Sequence, residues 1–249
     1  MQVAVVTGAS SGIGAALARE LTRRGWHCVL LARREERLRA LAGELGGEYE
    51  VCDVSDRVAV ESTAARVCER HPQVKLLVNN AGVSARADFL EGDPERIEQV
   101  VRTNYLGGVW CLRAFLPALE EARPSDVVNI VSVAGIFAHP PSGPYSASKH
   151  AQLAFSRATS ASLRGRGISV HTLNPGPVET EGFPQRARFR SAWLRRAVLD
   201  PDQVARHVAD LIGKGPTETT LPRLYRLPGV LQAVAPSLVA RLFARRGRH

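Results

Sequence analysis

Short apolar runs alternate with stretches of helical periodicity through most of this chain. Residues 2–7, 27–32, 49–52, 74–79, 126–132 and 168–174 are brief and mostly rich in β-branched residues, the pattern of buried strands. Between them, a helical stretch over residues 15–24 closes on Gly25, a charged one runs from 34 to about 45, and another covers 56–70. A longer one starts at Asp93-Pro94 and reaches about residue 121, with Pro117 kinking or ending it. The last begins near Tyr145 and reaches about residue 163. Strands and helices alternating at this spacing predict an α/β fold, a doubly wound parallel sheet of about seven strands with helices on both faces. Six of those strands can be placed. Internal repeats, low-complexity segments and linker-like breaks do not occur, so residues 1–249 are expected to form a single domain.

The first strand runs into Thr7-Gly8-Ala9-Ser10-Ser11-Gly12-Ile13-Gly14. Gly8 allows a tight turn off the strand. Gly12 lets backbone approach a pyrophosphate, and Gly14 lets the next helix pack on the sheet. Free N–H groups at the helix start then face the phosphates. The spacing Gly-x-x-x-Gly-x-Gly is wider than the common Gly-x-Gly-x-x-Gly. Its context is the stronger signal, because the turn leaves the first strand and opens the first helix, where a Rossmann fold takes a dinucleotide. A tight turn without a ligand is the plain alternative. The end of the second strand narrows the cofactor. NAD needs a carboxylate there for its ribose 2′-hydroxyl, but the chain has Leu31-Ala32-Arg33-Arg34 and its first acid is Glu35. Guanidinium groups suit a 2′-phosphate instead, so NADP(H) is favoured over NAD(H). Otherwise Arg33 and Arg34 simply open a charged surface helix.

Composition sets bounds on this picture. At 45% hydrophobic and 23% charged residues, the 249-residue chain can bury a large core. No run of roughly eighteen apolar residues occurs, so no membrane-spanning helix is expected. The chain opens on a strand rather than on a basic stretch followed by an apolar one, so no signal peptide is expected. Cys28, Cys52, Cys68 and Cys111 lack metal-ligand spacing. They are expected to be reduced thiols of a cytoplasmic protein, with no metal bound. The net charge of +9 is uneven. Residues 221–249 hold six arginines and no carboxylate, and Arg186, Arg188, Arg190, Arg195 and Arg196 cluster ahead of them. An anionic partner would suit such charge. Without a nucleic-acid module, a solvated face fits better, and no nucleic acid is expected.

The stretch Gly143-Pro-Tyr-Ser-Ala-Ser-Lys149 sets Tyr145 and Lys149 one helical turn apart on one face. A phenol titrates near pH ~10 and is a poor base at neutrality. An ammonium beside it favours the phenolate and lowers that value. Surface decoration gives the same spacing, so the surrounding motifs must decide. Those motifs are Thr7-Gly-Ala-Ser-Ser-Gly-Ile-Gly14, Asn79-Asn-Ala-Gly82, Asn104, Ser132, Tyr145-x-x-x-Lys149 and Pro175-Gly-Pro-Val178. In this order and spacing the chain resembles the short-chain dehydrogenase/reductase family, in its compact single-domain branch, as far as about Thr180.

The resemblance implies roles. Ser132 would hold the substrate oxygen, and Tyr145 would give or take the proton. Lys149 would lower the Tyr145 pKa and hold the nicotinamide ribose, while Asn104 would bind a water linking Lys149 to solvent. The turn residues Gly8, Ser10, Ser11, Gly12, Ile13 and Gly14 would surround the pyrophosphate. Asp53 and Val54 would border the adenine. Asn80, Ala81 and Gly82 would pass near its ribose, and Pro175, Gly176, Val178 and Thr180 would frame the nicotinamide. Analogy with the family also implies a homo-oligomer. Taken singly, Ser132 could cap a strand end and Asn104 could settle a helix kink.

The resemblance fades after Thr180. Glu181-Gly-Phe-Pro-Gln-Arg186 and a helical stretch to about residue 199 suit a hinge and lid over the substrate. Phe183, Phe189, Trp193 and Leu194 would line an apolar pocket or serve as ordinary packing, while Ile136, Phe137 and His139 would face the substrate, His139 as a loop histidine rather than a second acid. Residues 221–249 leave three readings: a flap packed over the site or a neighbouring subunit, a contact with an anionic membrane surface, or a poorly ordered tail. Packing is favoured, because Pro222, Pro228 and Pro236 break any long interfacial helix. The expectation is an NADP(H)-dependent oxidoreductase acting on a small carbonyl or alcohol, specifically an apolar ketone or secondary alcohol. The alternative is a nucleotide-binding regulator or scaffold of the same fold without turnover. The intact set of Asn104, Ser132, Tyr145 and Lys149 argues against it.

Overall fold

This computed structural model describes residues 1–84, 89–138, 142–188, 191, 195–215 and 217–246. Seven parallel strands build one sheet: β1 Gln2–Thr7, β2 Trp26–Ala32, β3 Glu48–Val51, β4 Leu76–Asn79, β5 Ser125–Ile130, β6 Ile168–Pro175 and β7 Glu218–Leu221. Their order is β3-β2-β1-β4-β5-β6-β7. Six strands match the expected ones with ends shifted by one or two residues. The seventh has no apolar run to announce it; Glu-Thr-Thr-Leu pairs with Thr172–Pro175 on one side only, at the sheet edge, and is only partly buried.

Residues alternate between the two faces of the sheet. On β2, Cys28, Leu30 and Ala32 join the core under helix α1 Gly12–Arg23 and α2 Glu35–Leu45, while Val29 and Leu31 face the opposite core. That second core lies under α3 Arg57–Arg70, α5 Gly107–Glu121 and α6 Gly143–Arg164, with Phe115 and Leu119 wholly buried in it. Each fully buried leucine contributes about 2 kcal/mol. Both faces being covered explains why the strands read as continuous apolar runs rather than as alternating ones. The four cysteines are free, and three are buried.

The expected helix over residues 93–121 is three pieces. Asp93 caps α4 Pro94–Val101 by accepting from the Glu95 N–H at 3.0 Å. A π-helical turn, Arg102–Leu106, follows and leads straight into α5. Such turns insert an extra residue and re-aim side chains; this one carries Asn104. Pro117 lies inside α5 and does not end it. Helix α7 Pro201–Leu211 starts with a capping box between Asp200 and Gln203. Leu199, expected at the end of a helical stretch, instead pairs in an isolated bridge with Val178. The chain ends in α8 Arg226–Val234 and α9 Pro236–Arg246. No helix among the described residues is long and apolar enough to cross a membrane.

The strand order reverses between β1 and β4, so their carboxyl ends flank a crevice at the switch point. Gly8 sits there with φ +66, and a Cβ at that position would lie 2.8 Å from the Ala81 Cα. Only glycine satisfies both constraints at once.

Candidate active site

A cleft of about 150 Å³ opens at that crevice, lined by Gly8, Ser10 and Ser11 of the turn, Arg33 and Arg34 after β2, and Asp53 and Val54 after β3. Ala81 and Gly82 close it from β4. The Arg34 guanidinium donates to the Ser10 hydroxyl at 3.0 and 3.1 Å and to the Ser11 hydroxyl at 2.5 Å. Arg33 stands 3.7 Å from the Asp53 carboxylate, with both side chains well exposed. A pair so loose and solvated adds little stability. Ser11, the N-cap of α1, makes no capping bond with its side chain, so first-turn N–H groups of Gly12, Ile13 and Gly14 point to solvent or a ligand.

Gly14 lets α1 start hard against the turn and the segment after β4. A Cβ there would lie 2.4 Å from the Gly8 carbonyl oxygen and 2.6 Å from the Asn80 amide nitrogen, so the helix packs on the turn itself. Asn80 turns its side chain away from the cleft and donates to the Thr7 carbonyl at 2.9 Å. Thr7 completes the clamp: its hydroxyl accepts from the N–H groups of Asn80 and Ala81, each at 3.0 Å, and donates to Val78. Sequence reasoning had given Thr7 no role. Val178 is buried at the carboxyl end beyond β6, Thr180 overhangs Gly12, and Gly176 backs onto the Tyr225 ring beside Pro175.

The second half of the site is built on β5, the π-helical turn and α6. Ser132 follows β5 and does cap a short turn, accepting from the Ala134 N–H at 3.1 Å. Its hydroxyl also lies close enough to the Tyr145 phenol to favour the phenolate. Phe183 covers that phenol, with ring centroids 6.3 Å apart. Lys149 is buried, 5.8 Å above the Tyr145 ring, and donates to the Ile130 carbonyl at 3.1 Å and to the Gln152 amide oxygen at 2.7 Å. The Asn104 amide accepts from the Val83 N–H at 2.7 Å and donates to the Val83 carbonyl and the Ser148 hydroxyl, both at 3.0 Å. Both of its N–H groups are therefore spent on the protein. Asn104 and Lys149 approach one another across Gly82, where a Cβ would meet them at 3.3 and 3.8 Å.

The electrostatics correct one expectation. Lys149 was expected to lower the Tyr145 pKa, yet burial holds the phenol above its usual value, with the Ser132 hydrogen bond opposing it. Burial also brings Lys149 down to about 7. Removal from water disfavours charge on either group. Gln152 and Ser148, which hold Lys149 and Asn104, were not foreseen. Beneath them a buried polar chain links β4, β5, α6 and β6, from Asn79 to Asn129, Ser156 and Thr172 at 2.7–2.9 Å. Asparagine is unfavourable in strands, so Asn79 and Asn129 were the signal for it.

Arg37 of α2 holds Glu181 at 2.8 Å and so ties the segment after Thr180 to the body. Glu179 fixes the same segment by accepting from the N–H groups of Gln185 and Arg186. A side chain at Gly182 would meet open space. His139, Phe189, Trp193 and Leu194 lie outside the described residues. One group among the described residues has metal-ligand geometry: the Nε2 atoms of His27 and His71 lie 3.0 and 2.7 Å from one oxygen of Glu48. Arg70 already holds its other oxygen at 2.9 Å, and the group lies at the amino ends of β2 and β3, away from Tyr145.

Comparison with known proteins identifies the family. A family model for short chain dehydrogenase matches residues 2–190. An uncharacterized oxidoreductase of Mycobacterium tuberculosis is 41% identical over 219 residues, which cover 85% of this chain and 84% of that protein. A solved alcohol dehydrogenase from the archaeon Thermococcus sibiricus, complexed with 5-hydroxy-NADP, superposes with a TM-score of 0.77 at 32% identity, over 88% of this chain and 95% of that one. A short chain dehydrogenase/reductase from Burkholderia phymatum, in complex with NAD, gives 0.83 at 27% identity, over 95% and 94%. The matched span runs from the glycine turn past Lys149 into the segment that covers Tyr145, and the chain belongs to the short-chain dehydrogenase family of oxidoreductases.

Proposed function

We propose that this oxidoreductase uses NADP(H) to reduce an apolar ketone, or to oxidise the matching secondary alcohol, with Tyr145 as general acid and base. The observation that carries this reading is the Tyr145 phenol beneath Phe183, one helical turn from the buried Lys149 and close enough to Ser132 for that hydroxyl to favour the phenolate.

The cleft fits such a cofactor. Gly12, with φ +56, presents bare backbone beside the uncapped start of α1, a place for a pyrophosphate. Arg33 and Arg34 would hold a 2′-phosphate, the loose Asp53 pair being easily exchanged for it. Asp53 and Val54 would border the adenine, and Ala81 and Gly82 its ribose. Pro175, Gly176, Val178 and Thr180 would frame the nicotinamide, which supplies or accepts the hydride.

The protein handles the proton. Because burial keeps its pKa high, Tyr145 is protonated at neutral pH and donates to the carbonyl oxygen as negative charge develops there. Ser132 donates to the same oxygen and fixes its position. Lys149 would hold the sugar of the nicotinamide half, with Gln152 aiming its amine and Asn104 fixing the loop after β4 at Val83. Nearby cofactor phosphates would draw the amine back toward ammonium. Phe183, with half-buried Ile136 and Phe137, offers the substrate an apolar wall.

Consumption of NADPH and of NADH at 340 nm, against a panel of aliphatic and aromatic ketones, aldehydes and quinones, tests the reading. NADPH-dependent turnover of apolar ketones is expected. Arg33→Asp is expected to weaken NADPH binding about ten-fold or more, the worth of one charge-assisted contact, and to spare NADH. Equal losses for both cofactors would remove Arg33 from the 2′-phosphate. Tight NADPH binding without turnover of any carbonyl would replace the reductase by a nucleotide-binding regulator.

A further inference from the structure

Among the described residues, twelve large apolar side chains are exposed, and seven of them fall between residues 224 and 242. On α8 they follow a rule. Leu227, Val230, Leu231 and Val234 recur at i, i+3, i+4 and i+7, and are 65, 57, 41 and 75% exposed. That spacing is one continuous helix face, and it points outward. The inward face is small and polar: a Cβ on Gly229 would lie 2.7 Å from the Ile136 carbonyl, and the Gln232 side chain accepts from the Ala138 N–H at 2.7 Å. The helix is therefore amphipathic the wrong way round for a surface helix of a water-soluble body. On α9, Val239 is buried while Leu238 and Leu242 continue the exposed stripe.

The charge around the stripe selects its partner. After Glu218 the sequence has six arginines and no carboxylate, and Glu218 is already bonded to Arg157 at 2.7 Å. Arg223, Arg226 and Arg241 are exposed beside the apolar face. A second copy of the chain would bring like charge against like charge. An anionic lipid surface matches both features, since apolar side chains enter the headgroup boundary and guanidinium groups meet lipid phosphates. At about 1.5 Å per residue, two helices of nine and eleven residues can lie along such a surface but cannot span it.

We infer that α8 and α9 form a docking face for an anionic membrane surface. The face adjoins the substrate side of the cleft, because α8 packs on residues 136–138 and Tyr225 packs on Gly176. Docking would set the cleft mouth at the bilayer, where apolar carbonyls partition. That consequence rests on the proposed reductase activity, while the membrane contact stands without it.

Co-sedimentation of the full chain with vesicles tests the contact and needs neither cofactor nor substrate. Binding is expected to equal parts of phosphatidylcholine and phosphatidylglycerol, to fall as salt screens the charges, and to be absent with phosphatidylcholine alone. Arg223→Gln, Arg226→Gln and Arg241→Gln together are expected to weaken it about 100-fold, at about five-fold per arginine. Leu227→Ser with Val230→Ser and Val234→Ser, all exposed and so compatible with folding, is expected to abolish it while ketone reduction without lipid is unchanged. Equal binding to both vesicle types, or wild-type binding by both variants, would overturn the inference. So would a dimer in solution that the serine variant dissociates, which would give the face to a second copy.

Discussion

Tyr145→Phe is expected to lower turnover about 10³-fold and to leave the cofactor dissociation constant within about two-fold, the signature of a lost proton donor. The substitution removes one oxygen atom. The ring keeps its contact with Phe183 and its place on α6. Ser132 loses the phenol but keeps the Ala134 N–H, so its hydroxyl is not orphaned. The fold should therefore change in stability by about 1 kcal/mol or less. Direction matters for the pH profile. The Tyr145 pKa is raised, so its acid form persists through neutrality into alkaline solution, and reduction should not decline from phenol ionisation below pH ~10. Oxidation needs the opposite protonation state and should rise with pH over the same range. Stopped-flow turnover with cofactor titration by fluorescence measures both quantities. A variant that kept a tenth of wild-type turnover would show that another group delivers the proton.

What could be read from the sequence divides along physical lines. The glycine turn was legible because backbone geometry leaves no other residue at Gly8, and the steric need at Gly14 is equally strict. The five inner strands were legible because burial on both faces demands apolar, β-branched runs, and the edge strand β3 by its position between two helical stretches. Strand β7 was not, since an edge strand with one neighbour can be written Glu-Thr-Thr. The π-helical turn at Asn104 has no periodicity of its own, so residues 93–121 read as one helix. Ser148, which holds Asn104, depends on how α6 sits against a turn 44 positions earlier, while Gln152 holds Lys149 from one turn along the same helix. Local pattern carries no such information. The pKa of Tyr145 was misjudged for a related reason: spacing sets a charge beside it, but only the packed fold reveals that the charge is itself stripped of water.

Lys149→Met is expected to abolish turnover and yet raise the melting temperature at pH 7. The amine is 4% exposed, and burial brings its pKa from 10.5 to about 7. The unfolded chain holds that proton up to about pH 10.4. Below pH 7 both states are charged, and the fold carries the full cost of a buried cation, about 5 kcal/mol at about 1.4 kcal/mol per pH unit between the two values. Between pH 7 and about 10.4 the unfolded state binds more protons, so this group's cost is relieved as pH rises. Methionine fills most of the same stem without charge. It leaves the Gln152 amide oxygen and the Ile130 carbonyl without their donor, at about 2–3 kcal/mol. The balance favours the variant by about 2 kcal/mol at pH 7, or about 4–8 °C for a chain of this size. The advantage should shrink steadily toward pH 10, because wild type alone gains over that range. A variant that melted lower at pH 7, or a difference that did not change with pH, would mean the amine is well solvated in the free protein. A Lys149→Met chain that melts higher and turns nothing over would mark this position, one turn from Tyr145, as held for chemistry rather than for folding.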